Sequence, residues 1–148
     1  MKNLFLLAVG LLFSISASSQ IQKPVKWSYA AKKTSKTDAV VLIKATIEDG
    51  WHIYSQNMAD GGPVKTSFTL APSKSFKPVG PVTEPKPITK FEKTFDMNVS
   101  YFEKSVVFQQ KVKLTGANPV VKGSLEYMVC DDQSCLPPET VEFSIPVK

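Results

Sequence analysis

Between Thr37 and Gly50 the chain reads TDAVVLIKATIEDG, and its apolar residues return every second position. Val41, Ile43, Ala45 and Ile47 share one side; Val40, Leu42, Lys44, Thr46 and Glu48 share the other. An extended backbone sends successive side chains to opposite faces, whereas a helix needs apolar residues three or four apart, so this pattern predicts a strand. Leu125, Tyr127 and Val129 repeat it against Ser124, Glu126 and Met128, and Val141, Phe143 and Ile145 repeat it in TVEFSIPV. Trp27–Ala31, Thr66–Ala71 and Ser105–Leu114 are further candidates, giving about seven or eight strands in all. Glu48-Asp49-Gly50, Asp60-Gly61-Gly62-Pro63 and Gly116-Ala117-Asn118-Pro119 supply the reversals between them. No window offers a long amphipathic helix. Short antiparallel strands at this spacing in a chain of 148 residues predict an all-β, immunoglobulin-like antiparallel sandwich.

Proline refines the expectation. Lys77 to Pro87, KPVGPVTEPKP, includes Pro78, Pro81, Pro85 and Pro87. Proline donates no ladder hydrogen bond, so this stretch should be an extended loop or an edge segment. Read as a linker, it would leave two flanking pieces small for independent sandwiches, and one domain is expected instead. That domain should span residues 20–148. Residues 1–19, MKNLFLLAVGLLFSISASS, carry Lys2, an apolar run from Leu4 to Ile15 and the small residues Ala17, Ser18 and Ser19. This is the layout of a cleavable signal peptide. As a helix the run would reach only about 18 Å, against a hydrocarbon core of about 30 Å. No later segment is apolar enough to span a bilayer, so an exported chain without membrane insertion of its own is expected.

All 18 basic residues are lysines. Base reading and bidentate phosphate clamps favour the guanidinium fork, so nucleic acid is not an expected partner. Zinc commonly takes four Cys and His ligands, but the chain offers Cys130, Cys135 and a single histidine, His52. No methionine follows Cys135 at a short ligand spacing for copper. Neither a metal nor another cofactor is expected. One histidine supports no inferred catalytic triad, and His52 in DGWHIYSQN reads as a rim or packing residue.

The strongest chemical signal is YMVCDDQSCLPPETVEF, residues 127–143, with both cysteines between two strands. In an exported protein a lone pair predicts one intramolecular disulfide. A structural staple and a reactive bond are both open readings. Closing so small a ring is worth about 2 kcal/mol of chain entropy, against about 4.7 kcal/mol for a 100-residue loop, which weakens the staple. A short ring on a connecting loop is open to another protein's thiolate. Asp131 and Asp132 oppose a thiolate on Cys130 by like charge. Among Phe91, Phe95, Tyr101, Phe102 and Phe108, most are expected in the core. Phe95, after KFEK and outside clean alternation, is still expected first in the core, with covering a reactive site from a loop as the alternative reading.

These residues resemble a known family. EYMVCDDQSCLPPETVEF is similar to the cysteine loop of the N-terminal periplasmic domain of the thiol:disulfide interchange protein DsbD, with C-x-x-x-x-C followed by Leu-Pro-Pro-Glu as the specific part. DGWHIYSQ resembles that family's glycine-aromatic-x-x-tyrosine strand, and KTFDMNVSYFEKSVVFQQKVKL its cap-loop phenylalanine followed by a long strand. The resemblance covers Val40 to Lys148. It implies an immunoglobulin-like periplasmic domain whose cysteine pair takes electrons from a membrane-embedded donor, here on a separate chain, and passes them to exported thioredoxin-like proteins. Cys130 and Cys135 would be the redox pair, Phe95 the cap, and His52 and Tyr54 the aromatic positions beside them. Either cysteine could form the mixed disulfide. Two features depart from the family pattern: the cysteine loop is one residue shorter, and Lys93 and Thr94 stand where an acidic pair precedes the cap. The competing expectation is a binding or adaptor sandwich whose disulfide is purely structural.

Overall fold

A computed structural model describes residues 22–148; the expected signal peptide lies outside the described residues. The described chain has no helix and forms eleven strands: β1 (Val25–Lys33), β2 (Asp38–Ile47), β3 (His52–Tyr54), β4 (Ser67–Leu70), β5 (Phe76–Thr83), β6 (Ile88–Glu92), β7 (Met97–Glu103), β8 (Ser105–Leu114), β9 (Val120–Tyr127), β10 (Val129–Cys130) and β11 (Glu139–Pro146). They make three antiparallel sheets, ordered β1-β2-β8-β5, β10-β3-β7-β6 and β11-β9-β4. The count exceeds the expected seven or eight. β3 and β10 have only three and two residues, too few to show a period, and the β6–β7 pair falls in a stretch without clean alternation.

The first and third sheets form the two layers of an immunoglobulin-like sandwich. Val41, Ile43, Ala45 and Ile47 of β2 are buried as their alternation predicts, and they pack in one core with Val121, Leu125, Phe143 and Ile145 of the opposite layer. Aromatic contacts cross between the layers: Trp27 meets Tyr127 at 5.2 Å between ring centroids, and Phe68 meets Phe108 at 4.9 Å. The proline-rich stretch resolves as an edge. Pro78 and Pro81 lie in β5, the outer strand of its sheet, where a missing donor costs no ladder bond on the free side.

The second sheet comes from strands that leave the first. β2 passes through a turn at Gly50, with φ of 83°, and re-emerges as β3. The family-like long strand across Met97–Leu114 is two strands, because Lys104 adopts φ of 61° and breaks the pleat. β7 therefore pairs with β3, while β8 pairs with β2. The carbonyl of Lys104 accepts from Ile47 N at 2.8 Å, which joins the two chains at the crossing.

Period two then gives this sheet two different faces. Ile53, Phe102 and Val129 enter the main core. On the other side, the register places Tyr54 opposite Tyr101, Lys90 opposite Val99 and Cys130 opposite His52. The expectation that most of the five aromatics are core is corrected here. Only Phe102 and Phe108 are fully buried; Phe95 and Tyr101 are half-buried, and Phe91 is 52% exposed. Phe91 pairs with Asn98 beside the turn that closes the β6–β7 hairpin, on the same face as Phe102, and is exposed there.

Candidate functional site

Cys130 ends β10, and the chain then reverses over Asp132 and Gln133. Asp131 N donates to Ser134 O at 2.9 Å, and Leu136 N donates to Val129 O at 2.9 Å. Between these two hydrogen bonds Cys130 and Cys135 face each other as an antiparallel pair, joined by a disulfide with their Cα atoms 4.0 Å apart. The Asp131 carboxylate completes the turn. Its Oδ1 accepts from Gln133 N at 2.8 Å and Ser134 N at 2.6 Å. These backbone donors hold the carboxyl below the usual aspartate range. The sequence reading saw Asp131 only as a repelling charge; its use as an internal acceptor became visible with the turn.

The two sulfurs differ in access. Cys130 is 2% exposed, whereas Cys135 is exposed. Cys130 lies on the ordered strand beside β3, and Cys135 lies on the returning arm of the loop. Both line a cleft of about 520 Å³ together with His52, Tyr54, Phe95 and Tyr101. Charged residues surround it: Lys90, Glu92, Glu103, Asp131 and Asp132.

The structure brings all five expected site residues to this cleft. Phe95 sits in the β6–β7 turn, where Phe95 N donates to Glu92 O at 3.2 Å and Asp96 closes the turn with φ of 50°. It packs against the buried cluster of Tyr54, Val99 and Cys130. His52 is the cross-strand partner of Cys130, and opposed residues on one face of an antiparallel pair have Cβ atoms about 4.5–5.5 Å apart. Its Nε2 lies 3.2 Å from the Tyr54 hydroxyl, and its ring approaches those of Tyr54 and Tyr101 at 5.3 and 5.0 Å between centroids. Burial pushes the His52 pKa down, against the opposing pull of Glu103, Asp132 and Glu92. Burial, aided by Glu92, pushes the Tyr54 phenol up to about 12. Both groups are therefore held toward their neutral forms beside the disulfide.

Met58, Met97 and Met128 also pack around this cluster and were not anticipated. They arrive from three separate segments, so no local spacing announces them. Their flexible thioethers fill irregular space beside the cysteine strand. Among the described residues no group of three or more His, Cys, Asp and Glu side chains is arranged to hold a metal ion. No helix among them is long and apolar enough to cross a membrane.

Three solved structures show the same fold. The N-terminal periplasmic domain of ScsB from Proteus mirabilis matches with a TM-score of 0.60 and 20% identity, over 85% of this chain and 47% of that one. The chain thus spans about half the length of that domain. The DsbD N-terminal domain of Neisseria meningitidis, in its complex with the PilB N-terminal domain, matches with a TM-score of 0.56 and 18% identity, over 84% and 87% of the two chains. The reduced form of the DsbD N-terminal domain from Neisseria meningitidis matches with a TM-score of 0.51 and 19% identity, over 80% and 83%. No curated protein sequence matches the chain. The profile described as thiol:disulfide interchange protein DsbD, N-terminal, matches residues 18–146, nearly the whole sequence, and by that match the chain belongs to the family of DsbD N-terminal domains.

Proposed function

We propose that residues 20–148 act, after removal of residues 1–19, as one periplasmic thiol:disulfide exchange domain relaying electrons through Cys130 and Cys135. The observation that carries this reading is the pairing of an exposed Cys135 with a buried Cys130 in a hairpin already closed by backbone hydrogen bonds on both sides. A staple contributes most where the chain is otherwise open. Here both arms are already held, so the bond adds little closure and remains free to react.

Exchange proceeds by thiolate attack through a mixed disulfide. A donor thiolate attacks Sγ of Cys135; the Cys130–Cys135 bond breaks, and Cys130 leaves as a thiolate that takes up a proton. The donor's second thiolate attacks its own bonded sulfur, releasing Cys135 and leaving the domain reduced by two electrons. In the forward direction the Cys135 thiolate attacks a client disulfide and frees one client sulfur. Cys130 then gives up its proton and attacks Cys135, which frees the second client sulfur and restores the disulfide. Cys130 is buried and Cys135 exposed, so Cys135 is suited to meeting the partner and Cys130 to resolving. Phe95 shields the pair between encounters, and His52 and Tyr54 form the wall beside it.

The clients are exported thioredoxin-like proteins, and the donor is a membrane-embedded electron carrier. The solved complex of a DsbD N-terminal domain with a PilB N-terminal domain supports a protein partner for a domain of this family. Incubating a reduced Cys130→Ser variant with an oxidised thioredoxin-like protein should trap a mixed disulfide through Cys135, visible as a reducible higher-mass band. Cys135→Ser should trap none, and neither variant should turn over. Continued client reduction by either single variant would overturn the relay and favour the adaptor with a structural bond.

A further inference from the structure

We infer that Asp131 is a positioning residue that keeps the cysteine hairpin closed when the disulfide is reduced, and so sets the reduction potential of the pair. The inference deepens the exchange reading and rests on it for its physiological meaning. The loop Cys130–Cys135 contains a single cross-turn backbone hydrogen bond, from Asp131 N to Ser134 O. Two further turn donors, Gln133 N and Ser134 N, both point at Asp131 Oδ1, at 2.8 and 2.6 Å, with Ser134 Oγ at 3.3 Å. An aspartate that captures backbone donors two and three residues ahead builds a turn without help from the rest of the fold. The clasp lies inside the ring that the disulfide closes, and none of its bonds involves a sulfur.

Two closures therefore act on one small ring, one covalent and one not. In the oxidised state the covalent bond holds the arms together whether or not the clasp is present. In the reduced state only the clasp and the flanking Leu136 N to Val129 O bond keep the thiols face to face. The equilibrium between dithiol and disulfide depends on the effective concentration of one thiol at the other, as for any intramolecular closure. Losing the clasp falls on the reduced form, lowers that concentration and shifts the pair toward dithiol. The potential becomes less negative.

Charge acts in the same direction as the clasp and can be separated from it. The Asp131 carboxylate is adjacent to Cys130 in sequence and opposes a thiolate there, so its removal favours the reduced pair at pH values where thiols ionise. Asp131→Asn removes the charge but keeps Oδ1 as an acceptor; Asp131→Ala removes both. The comparison between them isolates the clasp.

The test equilibrates residues 20–148, wild type and both variants, in glutathione buffers at pH 7 and counts free thiols by alkylation. Asp131→Ala should shift the equilibrium constant toward dithiol about tenfold, equal to about 30 mV for a two-electron couple. Asp131→Asn should stay within about twofold of wild type. Melting of the oxidised forms should be closely similar in all three, because the covalent ring holds the turn. An Ala variant that stays within twofold of wild type overturns the inference, as does an Asn variant shifted as far as Ala. Equal loss of melting temperature in both redox states, with the potential unmoved, also overturns it and makes Asp131 a plain turn residue. Absence of client reduction by the wild type would overturn the exchange reading while leaving this equilibrium measurement intact.

Discussion

Phe95 reaches the cleft of the cysteine pair from a turn between two strands and packs against the cluster of Tyr54, Val99 and Cys130, outside the main core. On the proposed shielding role, removing that ring uncovers a reduced thiol while leaving both strands in place. Phe95→Ala should therefore speed oxidation of the reduced pair by oxidised glutathione several-fold, followed by loss of free thiols with time. Unchanged kinetics would show that the ring packs without shielding. At this scale the site was partly legible: Cys130 and Cys135 announce themselves as the only cysteines in the sequence, and the family pattern points to Phe95, His52 and Tyr54. The difference in access between the two sulfurs was not legible. It depends on which arm of the hairpin lies against β3, and residue types do not encode that locally.

Gly123 shows how closely the strands of the third sheet approach. A Cβ there would overlap the carbonyl oxygen of Thr69 on β4 and lie 2.8 Å from Cζ of Phe143 on β11. Backbone cannot retreat as a long side chain can, so Gly123→Ala should destabilise the domain by about 1–3 kcal/mol in urea unfolding. Long strands such as β2, β8 and β11 were readable because one buried face and one open face impose alternation. β3, β7 and β10 were harder because their second face is covered by the cysteine hairpin and Phe95, which replaces the polar positions with Tyr54, Val99 and Cys130. The break at Lys104 was hidden as well. An ordinary lysine occupies a backbone conformation that glycine would have advertised.

Across the whole molecule, the shifted groups predict how stability depends on pH. His52 is the only histidine, and burial lowers its pKa in the folded state. As pH falls through the ordinary histidine value of about 6.5, the unfolded chain binds a proton before the folded one does. Stability should therefore decline from about pH 7 toward pH 5, before the carboxylates titrate. Urea midpoints across that interval should fall for the wild type and stay flatter for His52→Phe; parallel slopes would show that His52 is not responsible. At the alkaline end, Tyr54 and Tyr127 are both pushed up to about 12. The unfolded chain loses their protons first, near the ordinary tyrosine value of about 10, so stability should be lost again as pH rises from there. Local periodicity and composition were sufficient to determine an all-β sandwich, a proline-marked edge and one disulfide-forming cysteine pair. Tertiary structure decided the rest, namely the second sheet, the gathering of His52, Tyr54, Phe95 and Cys130 around one cleft, and the burial of one sulfur beside an exposed one. Those features depend on strand register and on the crossing of β2–β3 with β7–β8, which join residues distant in sequence and leave no local period to read.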